Sequence, residues 1–329
     1  GVVDPHINSP RAQSWNATVE KQLGAIWGVS ASYLGSHTDR IWGQVALNPG
    51  EFLGNGPCTL NGVSYPNCTV PANLDQRRIL HDPLIGVLDL HTDVGVQSYR
   101  GMKLSIRRRE ANGLSMNANY TLSRCVGNTA TGTFPQLSTG YTKPNDPSFD
   151  YGHCSQDRTH IGVITVGYVT PQFAGRAARI IASGWRLSGI FSGASGAWLL
   201  ITTGQDNSGN GLNNQRPNRI SNDVYGAKTV QAYLNRAAFA QPAPGTFGDL
   251  PIYDIKGPPR WTVDMALSRN IHLTQVQNLE LRLEAFNLLN HVNLGNPNLN
   301  LNLANFGRIT ALQTGATPRI LQFGLKYGF

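Results

Sequence analysis

No apolar run in the chain approaches the ~18 residues that a membrane-spanning helix needs; the longest covers about residues 197–201. Helical spanning is excluded. Charge is also scarce, since Asp, Glu, Lys and Arg make up 14% of the 329 residues, against roughly 25% in soluble domains. Metal-binding patterns are missing: there is no CxxC or HExxH spacing, and His81 and His91 lie in a polar stretch where solvated loop histidines are expected. Nor is there a nucleophile elbow, because in Gly193, Ala194, Ser195, Gly196 the second Gly comes one residue early. Neither a catalytic constellation nor a cofactor is expected, so the chain does not read as an enzyme. The net charge of +8 gives a weak pull toward anions. Its basic residues are scattered apart from Arg107, Arg108 and Arg109, and no nucleic-acid motif accompanies them. That triplet reads as a strand end at a membrane–water boundary, with no nucleic acid among the partners. The chain begins Gly-Val-Val-Asp without Met or an apolar leader, which for an exported protein implies processing or truncation.

What is abundant is Gly, 36 residues, together with Asn and Ser. Polarity carried by small uncharged groups suits a sheet that alternates wet and apolar faces. The alternation is clearest at the end of the chain, where Leu321, Phe323, Leu325, Tyr327 and Phe329 oppose Gln322, Gly324, Lys326 and Gly328. Similar period-two patterns predict strands over about 11–22, 25–35, 97–109, 113–124, 158–170, 183–203, 260–271, 277–287 and 319–329. In 183–203 the small residues 193–196 suggest a bulge or a break into two short strands. A short helical turn is expected near 176–180.

Between these strands the connections alternate in length. Long polar stretches at 36–96, 125–157, 204–259 and 288–318 alternate with short turns near Leu23, Glu110, 171–182 and 272–276. This is the signature of an all-β, antiparallel transmembrane β-barrel with long extracellular loops and short periplasmic turns. Nine strands is an odd number, and closing the first on the last would need a parallel seam. The expected object is therefore the C-terminal part, about nine strands, of a larger barrel.

This topology puts all four cysteines outside the cell. An oxidising exterior and an even count favour sequential bridges, Cys58 with Cys68 and Cys125 with Cys154. The second is favoured further because its ends sit on strands expected to be neighbours. On the polar faces, Lys103, Asn117, Asn119, Asp264, Glu280, Arg282, Glu284 and Lys326 are expected to face the lumen, where they either bond one another and a plug or contact solute. Three charges at alternate positions of 280–284 fit a wet lumen and not an apolar core. In the loops, Phe52, Tyr65, Tyr141, Tyr225 and Tyr233 read either as ligand-capturing aromatics or as packing anchors. Asp206, Ser208, Asn210 and Gly211 follow the first half of a calcium loop, but its twelfth position is Pro217; a Gly/Asn-rich turn is the competing reading.

The final strand, with Phe323, Leu325, Tyr327 and a terminal Phe329, resembles the C-terminal strand of outer-membrane barrels that the barrel-assembly machinery reads. RLEAFNLLNH at 282–291, residues 293–296, FGRIT at 306–310, SWNATVEKQL at 14–23, residues 184–189, AAFAQPAPGTFG at 237–248 and the closing PRILQFGLKYGF together resemble the C-terminal barrel of Oar-like TonB-dependent transporters, which carry a carboxypeptidase-regulatory-like domain. That resemblance implies a plugged barrel of about twenty-two strands in the bacterial outer membrane, energised by the TonB complex. Residues 1–329 would be one part of its wall, and the plug, TonB box and regulatory-like domain would be N-terminal to it. Expected partners are outer-membrane lipid, the assembly machinery, TonB through the N-terminal part, and an unknown extracellular ligand. The readings from other classes are a surface-display or adhesion barrel without transport, and a soluble β-rich carbohydrate-binding module.

Overall fold

The computed structural model describes residues 1–82, 84–128, 140–212 and 215–329. Parts of the expected loops at 36–96, 125–157 and 204–259 thus lie outside the described residues. Nine long strands form one path: β1 (Arg11–Leu23), β2 (Trp27–Ala46), β3 (Asp89–Ala111), β4 (Leu114–Gly127), β5 (His160–Val169), β6 (Trp185–Ala194), β7 (Arg260–His272), β8 (Asn278–Phe286) and β9 (Ile320–Gly328). Each pairs antiparallel with the next in sequence. Val2–Val3, parallel to β3, and Gly152–His153, against β4, bring the sheet to 11 strands. β1 and β9 are its two edges, and the sheet is not closed, as the odd strand number requires.

The short connections follow from local chemistry. Between β3 and β4, Asn112 (φ 52°) and Gly113 (φ 79°) both adopt left-handed conformations, the Asn-Gly turn whose twist matches an antiparallel hairpin. Gly113 N donates to Glu110 Oε1 at 3.0 Å. A helix of 7 residues, α1 (Arg176–Ala182), lies in the β5–β6 connection where a helical turn was expected. The Arg107–Arg109 run sits at this short-turn end of β3, with the Arg108 guanidinium 5.9 Å from the Trp27 ring.

Three expectations are corrected. First, 36–96 is not loop throughout: β2 continues to Ala46 and β3 already begins at Asp89, with register shifts near Thr38 and Ile41. This places His91 in a strand at 9% exposure, not in a solvated loop; His81 is exposed. Second, 183–203 is not one long strand but the two short strands of the alternative reading. β6 stops at Ala194, and Trp198–Leu199 pairs separately with Ile255–Lys256. The break arises at Gly196, where a Cβ would come within 1.8 Å of Gly257 O. Third, the long connections are folded. Leu199, Ile201, Val224, Leu234, Phe239, Leu250, Ile255, Leu301, Phe306 and Ile309 form a buried apolar cluster drawn entirely from the last two of them.

On the sheet itself the apolar residues stay uncovered. Register places Tyr33, Met102 and Leu122 in one row, and Ala31, Leu104 and Tyr120 in the next, all on one face. Met102, Leu104, Ile106, Ile164 and Leu187 are 37–41% exposed although they lie on interior strands. A soluble sandwich would bury such a face beneath a second layer; here the molecule's core lies in the loops and the sheet's apolar side needs an apolar solvent.

Both disulfides form as expected. Cys58 and Cys68 have Cα atoms 5.5 Å apart and Cys125 and Cys154 5.4 Å apart. Cys125 lies on β4, and Cys154 N donates to its carbonyl at 3.1 Å, so the second bridge fastens the returning chain to the strand it left. In the chain-entropy picture a bridge over this separation of 29 residues contributes ~3–4 kcal/mol to the folded connection.

Candidate functional site

Two surfaces carry polar chemistry, namely the face of the sheet opposite the apolar one and the layer formed by the long connections. On the sheet, register links Thr18, Ser32, Lys103 and Thr121 in one line, Arg107, Asn117 and Thr165 in another, and Ser105 and Asn119 between them. Farther along, Asp264 faces Ile190, while Arg282 is bracketed by Ser268 and Gly324, and Glu280 by Asn270 and Lys326. All eight residues expected on a polar face thus share one, because strands in register keep side chains of one parity on one side.

Five of the eight bond locally. Ser105 Oγ donates to Asn119 Oδ1 at 2.8 Å, and Asn119 Nδ2 to Asn117 Oδ1 at 3.0 Å. Arg282 donates twice to Glu284 Oε1, at 2.9 and 2.7 Å. Asp264 Oδ1 accepts from Asn287 N at 2.7 Å, which tethers the start of the β8–β9 connection. No hydrogen bond or ion pair within the described chain engages the side chains of Lys103, Glu280 or Lys326. Near the long-loop end a cleft of about 330 Å³ opens between Val163, Ser192, Arg260 and Thr262 on this face and residues 313–316. Sequence reasoning missed it because residues 313–316 come from a remote connection.

Buried polar crosslinks hold the long connections together. Arg216 and Asp150, 2% and 3% exposed, form an ion pair. Arg216 also donates to Leu250 O at 2.8 Å and Phe149 O at 2.9 Å, with its guanidinium 4.4 Å from the Phe149 ring. Arg77 Nη1 donates to Gly209 O at 2.8 Å, and burial lowers its pKa. The four connections therefore form one layer and not four free loops.

The calcium-like stretch is part of that scaffold. Asp206 Oδ1 accepts from Gly209 N at 2.9 Å and from Ser208 Oγ at 3.2 Å, and Oδ2 accepts from Gly211 N at 2.7 Å. Gln215 Nε2 adds a further donor to Asp206 Oδ1. Among the described residues no group of three His, Cys, Asp or Glu is placed to hold a metal ion. The oxygens that a cation would need are occupied by N–H and O–H donors, which supports the Gly/Asn-turn reading.

The loop aromatics divide similarly. Tyr141 is fully buried and Tyr233 is 7% exposed, so both are packing anchors. Phe52 packs on Gly245, where a Cβ would approach within 2.5 Å of its ring. Tyr65 lies partly buried on the Val63–Tyr65 strand of the disulfide-linked hairpin. Tyr225 and Tyr233 meet edge-on at 5.9 Å, and with Lys228, Lys256, Trp261 and His291 they line a cleft. His291 stacks on Trp261 at 3.9 Å, and Lys228 Nζ sits 4.5 Å from the Tyr225 ring. Flat rings and ammonium groups at one opening suit an aromatic or anionic guest.

Burial pushes the Tyr233 phenol up to about 12, with nearby Tyr225 adding to the shift. A raised phenol pKa favours the neutral form in the fold, so this stabilisation is complete below the unfolded value near ~10 and is lost as pH rises through the folded one. An absorbance titration at 295 nm is expected to show late-ionising tyrosines, one fewer in Tyr233→Phe. Ionisation of every tyrosine near its ordinary value would contradict this packing.

An open antiparallel meander with one uncovered apolar face, one polar face and a folded loop layer at one end defines a sheet of the outer-membrane β-barrel class. The chain belongs to the outer membrane beta barrel domain family, whose model matches residues 1–322. It is an outer-membrane protein. Its fold is similar to that of the outer-membrane transporter YddB from Escherichia coli, at 11% identity and TM-score 0.50 over 98% of this chain and 33% of that one. The ferripyoverdine receptor of Pseudomonas aeruginosa also matches, at 11% identity and TM-score 0.44 over 97% of this chain and 27% of that one. The chain thus spans about a third or less of these solved proteins. A comparison with curated proteins gave no match.

Proposed function

We propose that residues 1–329 are the C-terminal wall of a TonB-dependent outer-membrane receptor of the Oar-like kind, in a barrel of about twenty-two strands. In this reading the polar face lines the channel and contacts a plug, and the loop layer is extracellular and captures the ligand. Phe323, Leu325, Tyr327 and Phe329 address the barrel to its assembly machinery. The observation that carries the reading is the nine-strand meander whose connections alternate long and short around unpaired edges β1 and β9. Those edges have strand-pairing capacity left for further strands. Lys103, Glu280 and Lys326 leave charge on the polar face for a plug or a passing solute. The similarity in fold to the outer-membrane transporter YddB accords with transport.

Formaldehyde cross-linking in cells carrying the intact protein separates transport from display. A TonB adduct that disappears when the segment N-terminal to the plug is deleted is the expected result. Abundant surface-exposed protein without any TonB adduct would favour the display barrel instead.

A further inference from the structure

Toward the long-loop end, the uncovered apolar face changes chemistry within a single register row. Trp15 pairs with Gly35, Gly35 with Arg100, and Arg100 with Arg124, so one line crosses β1 to β4 immediately beyond the row of Ala17, Tyr33, Met102 and Leu122. The Trp15 indole lies over Gly35, where a Cβ would come within 2.3 Å of it. Arg100 and Arg124 are exposed, and no hydrogen bond or ion pair with the described residues engages either guanidinium. The acid on the same face, Asp39, is held by Arg11 at 2.7 Å and approached by Arg40 at 3.8 Å. Between Asp39 and the arginine row, His37 Nδ1 and Ser98 Oγ are 2.8 Å apart.

Like charges directly opposite each other across an antiparallel pair destabilise a sheet. Here two of them adjoin the apolar band, where an anion bridging both would convert the repulsion into attraction. The guanidinium fork matches phosphate oxygens in pairs, and a neighbouring Trp is a side chain suited to the headgroup level. Because the row projects from the lipid-facing side, its occupant must itself be embedded in the membrane.

We infer that Arg100 and Arg124, with Trp15 beside them, dock the phosphate of a phosphorylated glycolipid of the outer leaflet, the lipid A type. This rests on the proposed orientation, with the long connections outside the cell.

The test measures lipid retained by the full protein, by native mass spectrometry after extraction and delipidation, with phosphorylated lipid A, its dephosphorylated form, phosphatidylglycerol and inorganic phosphate as probes. Phosphorylated lipid A is expected to stay bound, and Arg100→Gln/Arg124→Gln should reduce retention about tenfold or more. Lys21→Gln, on the same face at the other end, should retain it as the parent does. Heat-modifiable migration on gels verifies that each variant is a folded barrel. Equal retention by the folded double variant, or of the dephosphorylated lipid, would overturn the inference, as would binding of inorganic phosphate with no lipid retained. Preference for phosphatidylglycerol would overturn the orientation along with it. Surface labels on the long connections report that orientation independently, so the inference can fail while the orientation stands.

Discussion

Arg216→Met is expected to open the loop layer while leaving the sheet intact. The substitution strands the Asp150 carboxylate, 3% exposed, without its cation. Breaking one partner of a buried pair costs ~3–5 kcal/mol, because the remaining charge stays desolvated. Two carbonyls, Leu250 O and Phe149 O, lose their donor as well. Hydrogen exchange should show lost protection across residues 215–256 and around 140–154, with β3 to β7 unchanged. Arg216→Met/Asp150→Leu should regain most of that protection, since replacing both partners removes the orphaned charge. Unchanged exchange in the single variant would show that the pair does not hold the layer.

The second large effect concerns the two faces of β3. Leu104 lies between Ala31 and Tyr120 on the uncovered side, and Ser105 lies between Ser30 and Asn119 on the other. In lipid, Leu104→Arg should cost ~2–4 kcal/mol if it sits near the bilayer midplane. Ser105→Arg, one residue away, should stay within roughly 0.5 kcal/mol, as surface substitutions usually do. Urea unfolding of the reconstituted protein reads both. Similar costs for the two would mean that the faces are not differently solvated.

The sheet was legible because lipid on one side and water on the other impose a period of two that no other constraint disturbs. Leu114 to Leu122 and the closing Leu321 to Tyr327 display it residue by residue, and their registers agree with it. The pattern fades where both sides leave the membrane. This is why Ser36 to Ala46 and Asp89 to Val96 did not read as strand, although they pair as a continuation of β2 and β3. The loop core was illegible for another reason: Val224, Leu250, Phe306 and Ile309 are scattered through Gly-, Asn- and Pro-rich sequence, and only tertiary folding gathers them with Leu199 and Ile201. At Asp206 the sequence admits two structures, because alternating Asp, Ser and Asn serve a cation or a backbone turn equally well. In the structure Asp206 accepts from Gly209, Gly211 and Gln215, the bonding of a backbone turn. The charged polar-face set was readable as a set, whereas the cleft between Ser192, Arg260, Thr262 and residues 313–316 depended on where a distant connection returns.

In the proposed orientation the folded loop layer lies outside the cell and the short turns inside. Among the described residues there are no free cysteines, so a single introduced thiol reports without background from them. Asn222→Cys, exposed in the β6–β7 connection, and Gln275→Cys, exposed in the β7–β8 turn, can each be treated with a membrane-impermeant maleimide on intact cells. Labelling is expected at 222 on intact cells, and at 275 only after the outer membrane is permeabilised. Labelling at 275 on intact cells with none at 222 would contradict it.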